Sequence, residues 1–116
     1  MNRQFKSQDF YESNTGEPIR SVVVETVDSV VVAWHLNPGQ EISAHIHPLG
    51  QDTWYVVSGQ GDYLTDIGSA KIKIETGDIL IAPSNCIHSV MNTGIEALKI
   101  ISVVSPAAAG YEKIDV

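Results

Sequence analysis

Cysteine is all but missing: Cys86 stands alone among 116 residues. No disulfide can form within the chain, which excludes a disulfide-stapled secreted scaffold. Basic residues are scarce too. Seven Lys and Arg against 14 Asp and Glu leave a net charge of −7. That balance argues against nucleic acid, which needs clustered cations for its phosphates, and against anionic membrane surfaces. No apolar run approaches the ~20 residues of a membrane-crossing helix. The opening residues, MNRQFKSQDFYESN, are polar and lack the apolar stretch of a secretory signal. A soluble, cytoplasmic protein is the expectation. Helical patterning is also absent, since no segment of ten or more residues repeats its apolar positions at the helical period. The short candidate Ala107 to Ala109 is bracketed too tightly by Pro106 and Gly110. There is no internal repeat and no low-complexity tract.

What is present is short strands. Hydrophobic residues make up 43% of the chain and charged residues 18%, a globular composition. A domain near this length buries about two-thirds of the surface its unfolded chain exposes, enough for one core. Residues 1–17 form a polar N-terminal arm whose Phe5, Phe10 and Tyr11 predict docking, on the chain's own core or on a second subunit. Residues 18–116 read as a single β-barrel domain. Ile19 to Glu25 and Ser29 to Asn37 are valine-rich strands, closed by the Pro38-Gly39 turn. Ile42 to His47, Thr53 to Ser58, Asp62 to Asp66, Ala70 to Glu75 and Ile79 to Ala82 follow, with Gly68 and Thr76 to Asp78 as breaks. AKIKIE, Ala70 to Glu75, alternates cleanly and predicts one wet face. His88 to Asn92 and the long apolar Glu96 to Ser105 complete the set, the latter as a central strand. The tail GYEKIDV reads as an ordered surface extension. About nine short strands at this spacing predict an all-β sandwich or barrel.

The chemistry-bearing residues cluster in the middle of the chain. His45 and His47 stand one residue apart, and on a strand both rings project from one face about 7 Å apart. Two such rings repel when both are protonated, and a divalent metal removes the conflict by binding both in neutral form. Asp52 follows five residues later across the Pro48-Leu49-Gly50 turn, and His88 begins a distant strand after the Pro83-Ser84-Asn85 bend. Three imidazoles and one carboxylate suit one divalent transition metal: Mn, Fe, Ni, Cu, Co or Zn. Four protein ligands leave up to two positions open on an octahedral ion.

These residues carry a resemblance: the chain resembles the cupin superfamily, and within it a small single-domain cupin. The first motif reads Gly39, five residues, His45-Ile46-His47, four residues, Asp52, six residues, Gly59. The second reads Gly77, five residues, Pro83, one residue, Asn85, two residues, His88, three residues, Asn92. Together they span about half the chain. The resemblance implies a jelly-roll β-barrel (a double-stranded β-helix) of six to eight strands with a metal near its centre, and commonly a homodimer. Two positions depart from the family pattern. The family usually has Glu at Asp52, and some small cupins use Gln or His nearby, so Gln51 is the alternative fourth ligand. Asp52 fits the spacing to Gly59 and offers an anionic oxygen, whereas alternation puts Gln51 on the opposite face unless the Gly50 turn rotates the strand. Asn85 replaces the usual Gly, and Asn is the side chain that best tolerates a left-handed turn.

Trp54 and Val56 share the Asp52 face and are expected to line the pocket, with plain core packing as the alternative. Tyr55 and Tyr63 are candidates to hydrogen-bond a small-molecule ligand or substrate, and Tyr63 is counted with the pocket. His35 is assigned to structure, Cys86 to an inert thiol, and Met91 and Asn92 to packing and turn capping. Apart from the ligands no acid-base residue stands out. That favours oxygenase-type chemistry on a small oxygenated molecule. A sugar or uronate isomerase or lyase, and a non-enzymatic small-molecule-binding protein, are the alternatives. Apolar residues on both faces of the valine-rich strands predict a sheet-to-sheet homodimer.

Overall fold

A computed structural model describes residues 1–65 and 70–115. Its strands, in chain order, are β1 (Ser21–Glu25), β2 (Val30–Leu36), β3 (Glu41–Ile46), β4 (Gln51–Ser58), β5 (Gln60–Leu64), β6 (Lys71–Glu75), β7 (Ile79–Ala82), β8 (His88–Asn92), β9 (Leu98–Ser105) and β10 (Glu112–Lys113). They form two five-stranded sheets of antiparallel pairs, ordered β1-β2-β9-β4-β7 and β10-β3-β8-β5-β6. From β2 to β5 and again from β6 to β9 the chain passes from one sheet to the other at each step. That is the jelly roll. Between the sheets lies a core built on Leu36, Trp54, Val56, Ile74, Val90, Leu98 and Ile100.

The burial patterns explain the order. Along β9, Leu98, Ile100, Ser102 and Val104 are buried while their neighbours are only partly so. β9 pairs with β2 on one side and β4 on the other, and so is a central strand. β6 buries Ile74 alone and keeps Lys71, Lys73 and Glu75 wet, as suits an edge strand. The expected ending of β5 at Asp66 and the Gly68 break lie outside the described residues.

Two conformational requirements hold the turns that carry the motifs. Gly59, between β4 and β5, has φ +94°, and a Cβ there would sit 2.6 Å from the Ala97 carbonyl oxygen. Only glycine avoids both penalties. Asn85 has φ +67°, the left-handed conformation expected of an Asn in that bend. Its backbone N–H donates to the His47 carbonyl at 3.0 Å, which ties the second motif's turn to the end of the first.

Residues 1–20 lie outside the sheets and contain one 3-10 turn, Ser7–Asp9. The arm is fastened through Gln40 Nε2, which donates to the Asn14 and Gly16 carbonyls at 2.7 and 2.6 Å. Lys99 Nζ sits 5.2 Å from the centre of the Tyr11 ring, a cation-π distance. At the other end the tail adds β10, too short for any period to reveal, against His45 and Ile46 of β3. Among the described residues no helix is long and apolar enough to cross a membrane.

Candidate metal centre

His45, His47, Asp52 and His88 converge at one end of the barrel, with one ligand atom from each within 4.8 Å of all the others. Local irregularity makes this possible. Between Ile42 and His45 the pairing of β3 with β8 slips by one residue: Ile42 faces Val90, and His45 faces His88. That bulge lets Ile42 and His45, of opposite parity, both point inward. His47 lies just past the end of β3, Asp52 is the second residue of β4, and His88 is the first residue of β8.

Each imidazole is fixed from behind. His45 Nδ1 donates to the Ser43 carbonyl at 2.7 Å, His47 Nδ1 to the Gly110 carbonyl at 2.7 Å, and His88 Nδ1 to the Cys86 carbonyl at 3.0 Å. A carbonyl only accepts, so each Nδ1 carries the hydrogen and each neutral ring turns its Nε2 lone pair inward. There the Nε2 atoms of His47 and His88 lie 3.2 and 3.0 Å from Asp52 Oδ2. Asp52 Oδ1 is buried and has no hydrogen-bond partner among the described residues. Acceptor therefore faces acceptor, and the arrangement is favourable only with positive charge between the groups, a proton or a metal ion. The donor set of three imidazoles and a carboxylate fits a divalent transition metal.

The electrostatics follow from burial and these contacts. Burial lowers the His45 pKa to about 4, helped by the neighbouring His88 charge. Burial also opposes protonation of His47, but the Asp52 hydrogen bond and the Gly110 carbonyl outweigh it and raise its pKa, against a smaller opposing effect of the Arg20 charge. For Asp52, burial pushes upward, yet the hydrogen bonds from His47 and His88 prevail and hold its pKa at about 2.

Gln51 does not join the cluster. Its side chain is exposed while Asp52 is 4% exposed, because regular pairing of Gln51 with Ser105 and of Asp52 with Val104 begins at once after the turn. The expectation that Trp54, Val56 and Tyr63 line the pocket is corrected by their positions. All three are buried in the layer behind the cluster. The Trp54 ring stands edge-on to His88 at 5.4 Å and to Tyr63 at 5.5 Å, so this group supports His88 from the core side. Tyr55 faces outward, and His35 bonds the Asn37 side chain at 3.1 Å. Asn92 donates to the Leu36 and Glu96 carbonyls and accepts from the Gly94 N–H, holding a turn.

The cupin-domain family matches residues 32–104, which takes in both motifs and all four clustered side chains. The chain belongs to the cupin family. Its structure is similar to that of a conserved protein with a double-stranded β-helix domain from Klebsiella pneumoniae, with 46% identity, full coverage of both chains and a TM-score of 0.95. A predicted oxalate decarboxylase from Thermotoga maritima shares the fold at 18% identity, covering 90% of this cupin and 99% of that chain, with a TM-score of 0.74. Among curated proteins, SchB of Streptomyces halstedii is 29% identical over 73 residues, which are 63% of this chain and 51% of SchB. The cupin thus aligns with about half the length of that relative.

A cavity of about 520 Å³ opens onto the cluster, within the usual range of small-ligand sites. Its wall includes Arg20, Trp34, Ser43, Ser102, Tyr111 and Lys113, none of which the motifs point to. Tyr111 lies 5.0 Å from the His45 ring, centre to centre, one residue after the carbonyl that orients His47. It is 23 residues beyond His88 and outside both motifs, so spacing carried no signal for it.

Proposed function

We propose that this cupin holds one divalent transition metal (Mn, Fe, Ni, Cu, Co or Zn) between His45, His47, Asp52 and His88. We further propose that it uses the ion in oxygenase-type chemistry on a small oxygenated molecule. The observation that carries the reading is the convergence of three imidazoles on one carboxylate, each ring oriented by a main-chain carbonyl. Bound there, an ion supplies Lewis acidity and up to two exchangeable positions beyond four protein ligands. The protein's own part is positional. Ser43, Gly110 and Cys86 fix the rings, Asp52 balances the charge, and the Trp54 layer keeps the core side of His88 dry. The cavity admits a small molecule to the opposite side.

Tyr111 favours a second reading. Its hydroxyl-bearing ring on the cavity wall supplies an acid-base group of the kind a sugar or uronate isomerase or lyase needs to move a proton. Protein loaded separately with Fe, Mn, Ni and Cu is assayed with dicarbonyls, catechols and uronates for oxygen uptake and for product. Oxygen uptake coupled to product supports the first reading, and product without oxygen uptake supports the second. Saturable binding without product contradicts both and leaves a binding protein. We also propose that the cupin acts as a homodimer. We propose a cytoplasmic setting as well, supported by a sequence whose single cysteine, Cys86, rules out any disulfide within the chain.

A further inference from the structure

The chain has only seven basic side chains and a net charge of −7, yet two of the seven, Arg20 and Lys113, stand on the wall of the cavity that reaches the histidine cluster. They come from opposite ends of the barrel's sequence. Arg20 immediately precedes β1, and Lys113 ends β10. Neither has an ion-pair partner among the described residues. Two carboxylates share that wall, Glu17 and Asp52. Asp52 belongs to the metal cluster, where a bound divalent ion would more than offset its charge, which leaves Glu17 against the two cations. A cation in an acidic protein normally finds a carboxylate, and two left unpaired at one opening focus a positive potential there. Behind them the wall is mixed: the Ser102 hydroxyl accepts the Trp34 indole N–H at 3.3 Å near Ser43 and Tyr111, and Val32, Ile42 and Val104 add apolar surface.

We infer that the cavity selects a small organic acid, with an oxygen donor directed to the metal centre and a carboxylate held by Arg20 and Lys113. The inference rests on the metal reading above and adds the substrate's charge to it. Arg20 presents a planar fork suited to a carboxylate, and Lys113 a compact charge that helps to neutralise it. Neither side chain reaches the metal cluster as a ligand, so each can be changed without altering the ligand set.

The test titrates metal-loaded protein with the dicarboxylates from oxalate to glutarate and with their monoamides and diamides, followed by calorimetry, with metal content measured on the same samples. At least one dicarboxylate is expected to bind ten times or more tighter than its diamide. In Arg20→Gln and Lys113→Gln that preference shrinks by about tenfold or more at unchanged metal content. The Arg20→Lys variant retains more of the preference than Arg20→Gln. Equal binding of acid and diamide, or an undiminished preference in both Gln variants, overturns the inference and leaves the metal site standing. A wild-type protein that takes up no metal overturns the proposed function and this inference together.

Discussion

Burial pushes the three shifted groups of the site, His45, His47 and Asp52, toward their neutral forms, and their hydrogen bonds decide which of them resist. His45 gives way, with its pKa lowered to about 4. Its native form refuses a proton that the unfolded chain accepts between pH 6.5 and about 4, so stability falls as pH falls through that window. Asp52, held at about 2 against 3.8, adds stability that is complete above the unfolded value and is lost as pH drops toward the folded one. His47 acts in the other direction. Its raised pKa contributes stability that is complete below 6.5 and is lost as pH rises through the folded value. Chelated protein is therefore predicted to melt highest near about pH 6.5. His45→Gln should flatten the decline between pH 6.5 and 4, as read from thermal melts in chelator across pH 4 to 8. A melting temperature that rises steadily toward acid contradicts this account. At this scale the inward placement of Asp52 and the outward one of Gln51 follow from strand alternation in β4. The inward turn of His45 relative to Ile42 was not legible in the sequence, because a bulge is a pairing event between strands and leaves no period in either one.

The nine strands expected from pattern are the nine longer strands observed, with ends that, among the described residues, differ by up to two residues. Valine-rich runs and Gly or Pro punctuation specify such strands locally. β10 escaped because two residues carry no periodicity. It exists because Ile114 N–H donates to the Ala44 carbonyl at 2.9 Å and Leu49 N–H to the Ala109 carbonyl at 2.8 Å, which draws the tail over β3. The same placement delivers the Gly110 carbonyl to His47, so a contact 63 residues apart in sequence completes a site that the motifs describe only in part. The Asn85 bend makes a prediction at this level. Asn85→Val forces a β-branched side chain into a left-handed conformation and should cost about 1–3 kcal/mol. Asn85→Gly should stay within about 0.5 kcal/mol of the original, since glycine accepts that conformation freely. Urea denaturation of the two variants checks both, and equal losses would remove the conformational explanation.

Taken as a whole, the molecule exposes apolar side chains on the outer side of one sheet, mainly along its β4-β7 edge. On the outer side of the β1-β2-β9-β4-β7 sheet, pairing aligns Val31, Val103, Thr53 and Ile81 in one row and Ala33, Ile101, Tyr55 and Ile79 in the next, with Ala33 at the β2 end fully buried. Neither row holds a charge. Tyr55, Ile79 and Ile81 are 45%, 70% and 56% exposed, and a contiguous apolar patch of this kind marks an association surface. The homodimer proposed above uses this face. Light scattering should give a dimer for the wild type and a monomer for Ile81→Lys with metal content unchanged, whereas a monomeric wild type contradicts it. The inner face matters more to the account. Metal analysis of protein purified without chelators, alongside His47→Ala, Asp52→Ala and Gln51→Ala, tests it most directly. The account predicts close to one transition-metal ion per chain in the wild type and in Gln51→Ala, with occupancy lost or reduced at least tenfold in the other two. A wild type without bound transition metal, or loss on changing Gln51 but not Asp52, would contradict it.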